Sequence, residues 1–598
     1  MTKMPDVRLE QRLPQVEIRV RVEDATEPVP PPTPDCDHIR RNSKWWIASG
    51  IFLVVLVCYV LTSPGRIDII DGQARFDVTY NWLVTGRPIV RDMWITQYMG
   101  VPGPDGLHYS YYGAPGSVFA MPLVWVGLAT SSPDIRPSQF LFSLTSSIFG
   151  AGLAPILFLF YRELGIPARR AFAWTLVNSL ATLVWPASTS TFDNAQHAFF
   201  TLAAVYFGFL SARRKSLAWA ALGGLMAGVL FLYQEYFLLI IPALALSTLQ
   251  WKVAGDSEAP GPAAYQKQLI ARVVLAAKGA ARKVMELIRE AWRTPGEARS
   301  SCLRYAAFLV AAGIGVALSL AYNDWRFGSW FENGKVRSIT AHAYPLFGNP
   351  LAGLLTLLVS PGKSIFLYSP PLLLCLIGMR SFRQQQPAIA LAVKLSSALL
   401  VLFLACICFV GGDWCWGPRY LTPLLPLWAL AFPFVKLNRI RRQWAVALLG
   451  AGLLIQLMAL TVENQRFFLE NGFKDYFWAE DPWIYFKHSA LFRRFGEVAS
   501  LRNGVPPTAR FFNSIPVTEW CTYTILGPPP GFDRSKSPIW IRNFKIYYLP
   551  RPWPLWMSYL PPANRPIPMG PWLWSLFTLM ALGGGLSYFG LRGRGCYE

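Results

Sequence analysis

The chain has 598 residues, of which 53% are hydrophobic, 15% aromatic and 15% charged, with a mean hydropathy of +0.31. Soluble domains carry nearer a quarter charged residues, so composition excludes an ordinary soluble protein and points to an all-α polytopic membrane protein whose apolar runs of about 16–23 residues suit a bilayer. The formal net charge of +22 would suggest a nucleic-acid partner in a soluble chain, but the Lys and Arg lie between apolar runs, where cytoplasmic-loop bias accounts for them, and no nucleic acid is implied.

In chain order, residues 1–44 are polar and bear Pro28-Val29-Pro30-Pro31-Pro32-Thr33-Pro34, the composition of a disordered cytoplasmic tail. The first apolar run lies behind Arg40, Arg41 and Lys44 and reads as a retained signal anchor. A membrane domain follows over 45–462. Basic clusters set its topology: Arg162 with Arg169 and Arg170, Arg213 to Lys215, Arg380 with Arg383, Lys436 with Arg439, Arg441 and Arg442, and Arg592 with Arg594 all belong inside. The crossings that satisfy these marks are about twelve: 45–63, 139–161, 171–187, 196–211, 217–232, 236–249, 305–322, 364–379, 388–410, 420–435, 444–462 and 570–591. Two further apolar runs, Gly116–Thr130 and Pro350–Ser360, are then expected as juxtamembrane or re-entrant helices outside, where irregular backbone is tolerated only beside a cavity or buried in protein.

The first extracytoplasmic loop is 64–138. Residues 250–304 form a cytoplasmic insertion whose apolar positions, from Ile270 to Trp292, recur at helical spacing among Lys and Arg, as in a basic amphipathic helix on an anionic leaflet or packed on the protein's own face. Residues 463–569 are expected to cap the membrane domain from outside, and 570–598 form the last crossing and a short tail. The nine cysteines show no C-x-x-C pair. Cys415 and Cys521 both fall outside and could bridge in an oxidising compartment, two unpaired thiols being the alternative.

The 64–138 loop concentrates the polar chemistry. It carries Asp68, Asp71 and Asp77, then Gly106-Leu107-His108-Tyr109-Ser110-Tyr111-Tyr112-Gly113. An Asp just after the first span, followed by G-x-x-Y-S-x-x-G-x-x-x-S/F-x-x-x-P over Gly106–Pro122, resembles the first loop of GT-C superfamily membrane glycosyltransferases, in particular bacterial relatives of the protein O-mannosyltransferases. The family has Glu after that Asp; this chain has Gly72. The resemblance continues through Trp185–His197, with Asp193 and His197; Asn323–Ser329; Ser360-Pro361-Gly362-Lys363 with Tyr368-Ser369-Pro370-Pro371; and Trp416-Gly417-Pro418-Arg419-Tyr420. Together these cover about residues 45–435.

The resemblance implies a GT-C-like bundle with its catalytic domain at 45–462, moving a sugar with inversion from a polyprenyl-phosphate carrier to a hydroxyl on a glycan, lipid or protein acceptor. It also implies a multi-pass protein of the bacterial cytoplasmic membrane whose active site faces outside. Such chemistry needs a base for the acceptor proton and cations for the departing phosphate. Asp71 suits the first role, Lys363 and Arg419 the second. His108, Tyr109, Tyr112, Asp193, His197, Gln234, Glu235 and Tyr368 are expected around the substrate. Alternatives stand beside each role: Asp71 capping a helix over 72–84, Asp193 capping the span after it, Glu235 pairing with a basic residue, and Lys363 and Arg419 anchoring at the interface. A divalent cation on Asp71 with His108, His197 and His342 stays open, although their separations follow no familiar ligand spacing. A transporter or flippase of lipid-linked saccharides is the rival function.

Overall fold

The structure, a computed structural model, describes residues 34–91, 96, 99–131, 134–249, 295–341, 345–412, 414–436, 438–470, 483–503, 548–559, 562 and 565–592. The amphipathic stretch expected at 270–292 therefore lies outside the described residues, as do His342 and Cys521. The chain divides into two units, Met1–Asn42 and Ser43–Glu598.

The second unit is overwhelmingly helical. Among the described residues, seven helices are long and apolar enough to cross a bilayer: Ser43–Thr62, Arg136–Glu163, Asn194–Arg214, Arg299–Phe327, Pro387–Cys406, Arg439–Thr461 and Met569–Arg592. Each coincides with an expected crossing. Of the other five, 217–232 is a helix of 17 residues, Leu217–Tyr233, and the remaining four are interrupted. Residues 171–187 break between Ala168–Leu180 and Val184–Ser188, 236–249 into three short turns, 364–379 at Pro370-Pro371 between Ile365–Tyr368 and Leu372–Gln385, and 420–435 into three pieces starting at Arg419, Leu425 and Phe432. Pro186, Pro242, Pro370, Pro371, Pro423, Pro426 and Pro433 fall in these segments; each removes an amide donor and crowds the preceding turn. The freed backbone is satisfied within the protein, as Gln456 Nε2 donating 2.7 Å to the Tyr368 carbonyl shows.

The two shorter apolar runs are compact helices, Met121–Ser131 and Pro350–Leu358, about 17 and 14 Å long at 1.5 Å per residue and too short to cross alone. The helix at the end of the insertion runs without interruption from Pro295 to Phe327. It packs along Leu217–Tyr233 through glycine contacts so close that a Cβ on Gly224 would stand 2.0 Å from the Phe308 carbonyl oxygen.

The first loop folds as a helix, Ile70–Thr85, followed by a two-stranded antiparallel ribbon in which Gly100–Pro102 pairs Ser110–His108. The described parts of 463–569 fold back against the membrane domain: Ser489 Oγ donates 2.6 Å to the Pro361 carbonyl, Gly362 N donates 2.9 Å to Tyr485 O, and Trp553 N donates 3.0 Å to Ser63 O.

Candidate active site

Asp71 sits in the first turn of Ile70–Thr85, after an Ile69 N-cap that makes no side-chain cap bond. Its carboxylate is therefore left for other partners rather than capping the helix. Gly72 explains how this turn can lie where it does. A Cβ there would stand 2.2 Å from Thr191 Oγ1, so the residue after Asp71 must lack one for the helix start to press against the 188–193 segment. Arg75, one turn on, shares the face of Asp71.

That face meets two other elements. Arg75 Nη2 lies 2.6 Å from Asp193 Oδ2, and Arg419 Nη1 lies 3.1 Å from Asp71 Oδ2. The four side chains are 4–6% exposed, so each charge is compensated at close range, as burial demands. Aromatic faces complete the cluster: Arg75 Cζ stands 4.2 Å from the Tyr112 ring centre, Arg419 Cζ 3.7 Å from that of Phe192 and 4.7 Å from that of Tyr420. Cation–π contacts of this kind strengthen when desolvated. Burial alone would raise the Asp193 carboxyl, but Arg75, with His197 and Arg419, outweighs it and holds Asp193 below the usual carboxylate range. Burial, followed by the charge of Asp71, pushes the Tyr112 phenol well up, so it stays protonated and hydrogen-bonds Asp71.

Asp193 occupies the N-cap position of Asn194–Arg214 yet makes no capping bond; its carboxylate turns to Arg75 and to His197 Nε2 at 3.5 Å. His197 is enclosed edge-on by Tyr233 and Phe237. Arg419 opens a 3-10 turn, Arg419–Leu424, after Gly417, whose φ of +63° is the left-handed region that favours glycine. Lys363 holds that turn from behind. Its buried ammonium donates to the carbonyls of Cys415 at 3.0 Å and Gly417 at 3.1 Å, so it is neither at an interface nor directly on Asp71. Tyr368 packs edge-on against Trp416 with ring centres 5.0 Å apart.

A narrow open-ended cleft meets this cluster at Arg419, with Arg419, Phe192, Asn194, Trp414, Trp416, Gln465 and Asp68 in its wall. Asp71, Tyr112, Asp193, His197 and Arg419 thus come together, and Lys363 and Tyr368 support the cleft's Cys415–Arg419 wall. The other expected residues lie elsewhere. Tyr109 donates 2.7 Å to Asp105 on the ribbon; burial and that carboxylate push its phenol up to about 12. His108 pairs with Pro102 in the ribbon. Lys335 Nζ ties Gln234 at 2.8 Å and Glu235 at 3.2 Å, the latter an ion pair with a basic residue. Cys415 is buried with a free thiol, 3.0 Å from Gly412 O. Among the described residues no group of at least three His, Cys, Asp or Glu could hold a metal ion.

Sequence reading missed Arg75, Arg551 and Trp416 as site residues. Arg75 carried a usable signal, its helical spacing from Asp71. Arg551 carried none: it comes from 483 residues downstream of Asp68 to lie 3.4 Å from that carboxylate.

No family model matches the chain, and no curated protein matches it. Solved structures do. The chain is similar to the ArnT protein of Cupriavidus metallidurans in the apo state (13% identity, 91% of this chain and 76% of that one, TM-score 0.42) and bound to undecaprenyl phosphate (14%, 77% and 80%, TM-score 0.40). It is similar too to the archaeal oligosaccharyltransferase AglB of Archaeoglobus fulgidus in complex with an inhibitory peptide and a dolichol-phosphate (13%, 71% and 56%, TM-score 0.40); the chain thus spans little more than half of AglB. At these scores the likeness carries no argument about residues or reaction.

Proposed function

We propose that this protein transfers a sugar from a polyprenyl-phosphate carrier to an acceptor hydroxyl on the extracytoplasmic side of the membrane. The observation that carries this reading is the buried Asp71–Arg419 pair, whose arginine lines the cleft: one group that takes a proton and one that takes a phosphate, in contact and shielded from bulk water. The donor phosphate binds Arg419, with Lys363 fixing the turn that presents the guanidinium, and in doing so draws Arg419 from Asp71. The freed carboxylate accepts the proton of the acceptor hydroxyl as its oxygen bonds to the anomeric carbon. The bond from that carbon to the phosphate oxygen breaks, and its electron pair leaves with polyprenyl phosphate, whose charge Arg419 stabilises. Attack from the face opposite the phosphate inverts the anomeric centre.

Asp193, Arg75 and Tyr112 position Asp71 rather than react. The interrupted helices around the cleft would equally suit a flippase of lipid-linked saccharides, since broken helices line transport sites too. Incubating the purified full-length chain with radiolabelled polyprenyl-phosphate sugars and a panel of glycan, lipid and peptide acceptors separates the two. Label appearing covalently on an acceptor supports transfer. Label crossing a proteoliposome membrane with no product supports the flippase.

A further inference from the structure

The helix Ala490–Ser500 belongs to the segment expected to cap the membrane domain, yet it is turned the wrong way round for water. A surface helix points its apolar stripe at the core and its charges outward. Here Arg494 and Glu497 are 0% and 3% exposed and pair at 2.8 Å inside. Phe492 and Phe495, which share one face of the helix, are 62% and 56% exposed. Trp483, just ahead of the preceding turn Ile484–Lys487, is exposed as well. Lone exposed apolar side chains are ordinary, but rings grouped on a helix that buries its charges imply a solvent other than water.

The contacts of the buried face fix the depth of this helix. Arg494 Nη1 donates to the carbonyls of Met458 at 3.4 Å, Ala459 at 3.5 Å and Val462 at 2.7 Å. These lie at the end of the crossing Arg439–Thr461, where helix carbonyls lack partners of their own. From Arg442 at its basic end to Thr461, that crossing rises about 28 Å at 1.5 Å per residue, close to the roughly 30 Å of bilayer hydrocarbon. Its exposed leucines, Leu453, Leu454 and Leu457, stop one residue short of Met458. Ala490–Ser500 therefore begins where the lipid-facing surface ends. On its other side, Ser489 Oγ reaches the Pro361 carbonyl, two residues beyond the exposed Val359. The exposed charges are of one sign: Lys487, Arg493 and Arg502 lie on the surface, and the one acid among the described residues 483–503 is the buried Glu497. Rings over acyl chains with basic side chains among phosphates are how interfacial helices bind a bilayer.

We infer that Trp483, Phe492 and Phe495 dock on the membrane itself, entering the headgroup–acyl boundary of the leaflet at the Asp71 end of the bundle, with phospholipid as the partner. The inference stands independently of the sugar-transfer reading. It gives the leaflet a hold on the Arg419 wall, because the Arg494 guanidinium stands 4.7 Å from the Trp416 ring centre and Tyr485 O takes the Gly362 amide. The test replaces Phe492 or Phe495 with the photocrosslinker benzoylphenylalanine in the full-length protein, held in nanodiscs of phosphatidylcholine and tritiated phosphatidylglycerol. Leu454 on the crossing and Asp105 at the exposed tip of the ribbon receive the same residue as references. Illumination should attach tritiated lipid at positions 492 and 495 as strongly as at 454, and hardly at 105. Trp483→Phe supplies a reading that does not depend on those variants folding: it should remove part of the intrinsic fluorescence that brominated phosphatidylcholine quenches in wild type. Lipid attachment at 492 and 495 no higher than at 105 puts the face in water and overturns the inference. Attachment to peptide, whether from residues 504–547 or from a second copy, overturns it as well, since protein then covers the rings. So does quenching that Trp483→Phe leaves unaltered.

Discussion

Asp68 and Asp71 stand three residues apart on the same loop, carry the same group and are both buried, yet the protein treats them in opposite ways. Asp68 is fully engaged: Thr191 N at 2.8 Å, Thr191 Oγ1 at 2.6 Å, Ser190 Oγ at 2.9 Å and Arg551 Nη2 at 3.4 Å all donate to it. Arg551 reaches on to Glu463, at 3.5 Å, and Glu463 to Arg66, at 2.5 Å, so Asp68 clamps three distant parts of the chain. Asp71 meets a single guanidinium and a phenol, Arg419 and Tyr112, both of which a substrate can replace. A carboxylate saturated by backbone and fixed hydroxyls is a structural joint. One held by exchangeable partners is, on the reading proposed above, the reagent, although it is Asp68 that lines the cleft.

The largest effect should come from separating these roles. Asp71→Asn keeps size and hydrogen bonding but accepts no proton, and turnover should fall about 10²–10⁴-fold with the melting temperature nearly unchanged. Asp68 cannot stand in for it, because its lone pairs are already committed. Near-wild-type turnover in Asp71→Asn, measured with the labelled donor, would assign the base elsewhere.

Asp68→Ala should do the reverse. It leaves Arg551 with Glu463 as its remaining carboxylate partner and takes the acceptor from Thr191 N, Thr191 Oγ1 and Ser190 Oγ; a buried donor left unsatisfied costs about 1–3 kcal/mol, read as a lowered melting temperature and accelerated proteolysis. Protein that does survive should retain its donor affinity. Asp68→Ala with full stability and lost turnover would erase the contrast between the two carboxylates.

A smaller effect is expected at Arg419. Arg419→Lys keeps the charge but loses the planar fork that suits a phosphate, and a charge-assisted hydrogen bond is worth about 1.5–3 kcal/mol. Binding of bare polyprenyl phosphate should weaken about tenfold or more. Lys363→Met should weaken it less, because Lys363 touches carbonyls of the Arg419 turn instead of the cleft. A larger loss at Lys363 would place its ammonium on the phosphate.

Much of this was legible in the sequence. Hydropathy and the basic clusters found all seven of the helices that, among the described residues, are long and apolar enough to cross a bilayer, because length and charge bias are properties of single segments. They could not say which of the other expected crossings are interrupted, since a broken helix and a whole one have the same hydropathy and only the placement of Pro370, Pro371, Pro423 or Pro426 distinguishes them. Asp71, Asp193 and Arg419 were visible through their motifs; that Asp71 pairs with Arg419, 348 residues away, was not. The ribbon residues His108 and Tyr109 share a motif with Tyr112 but belong to their own turn, as Tyr109 shows by bonding Asp105. Motifs place residues along a chain, and the side taken by each side chain is decided by tertiary contact.

The smallest effect concerns the support behind the reagent. Asp193 carries a folded-state pKa below its ordinary 3.8, because Arg75, His197 and Arg419 outweigh burial. With a depressed folded value, the stability that the Arg75–Asp193 pair contributes is complete above about pH 4 and drains away as pH falls through the lower folded pKa. The melting temperature of wild type minus that of Asp193→Asn should therefore be flat from about pH 8 to pH 5 and shrink below about pH 4. Other carboxylates titrate in the same acid range, but they do so in both proteins and cancel in the difference. Turnover offers a second readout, since Asp193 fixes Arg75 beside Asp71 without touching the reacting atoms: Asp193→Asn should lower it far less than Asp71→Asn does. A stability difference that stays constant down to about pH 3 would mean that Arg75 does not depend on the Asp193 charge, and that the Asp71 face is held by Tyr112 and packing alone.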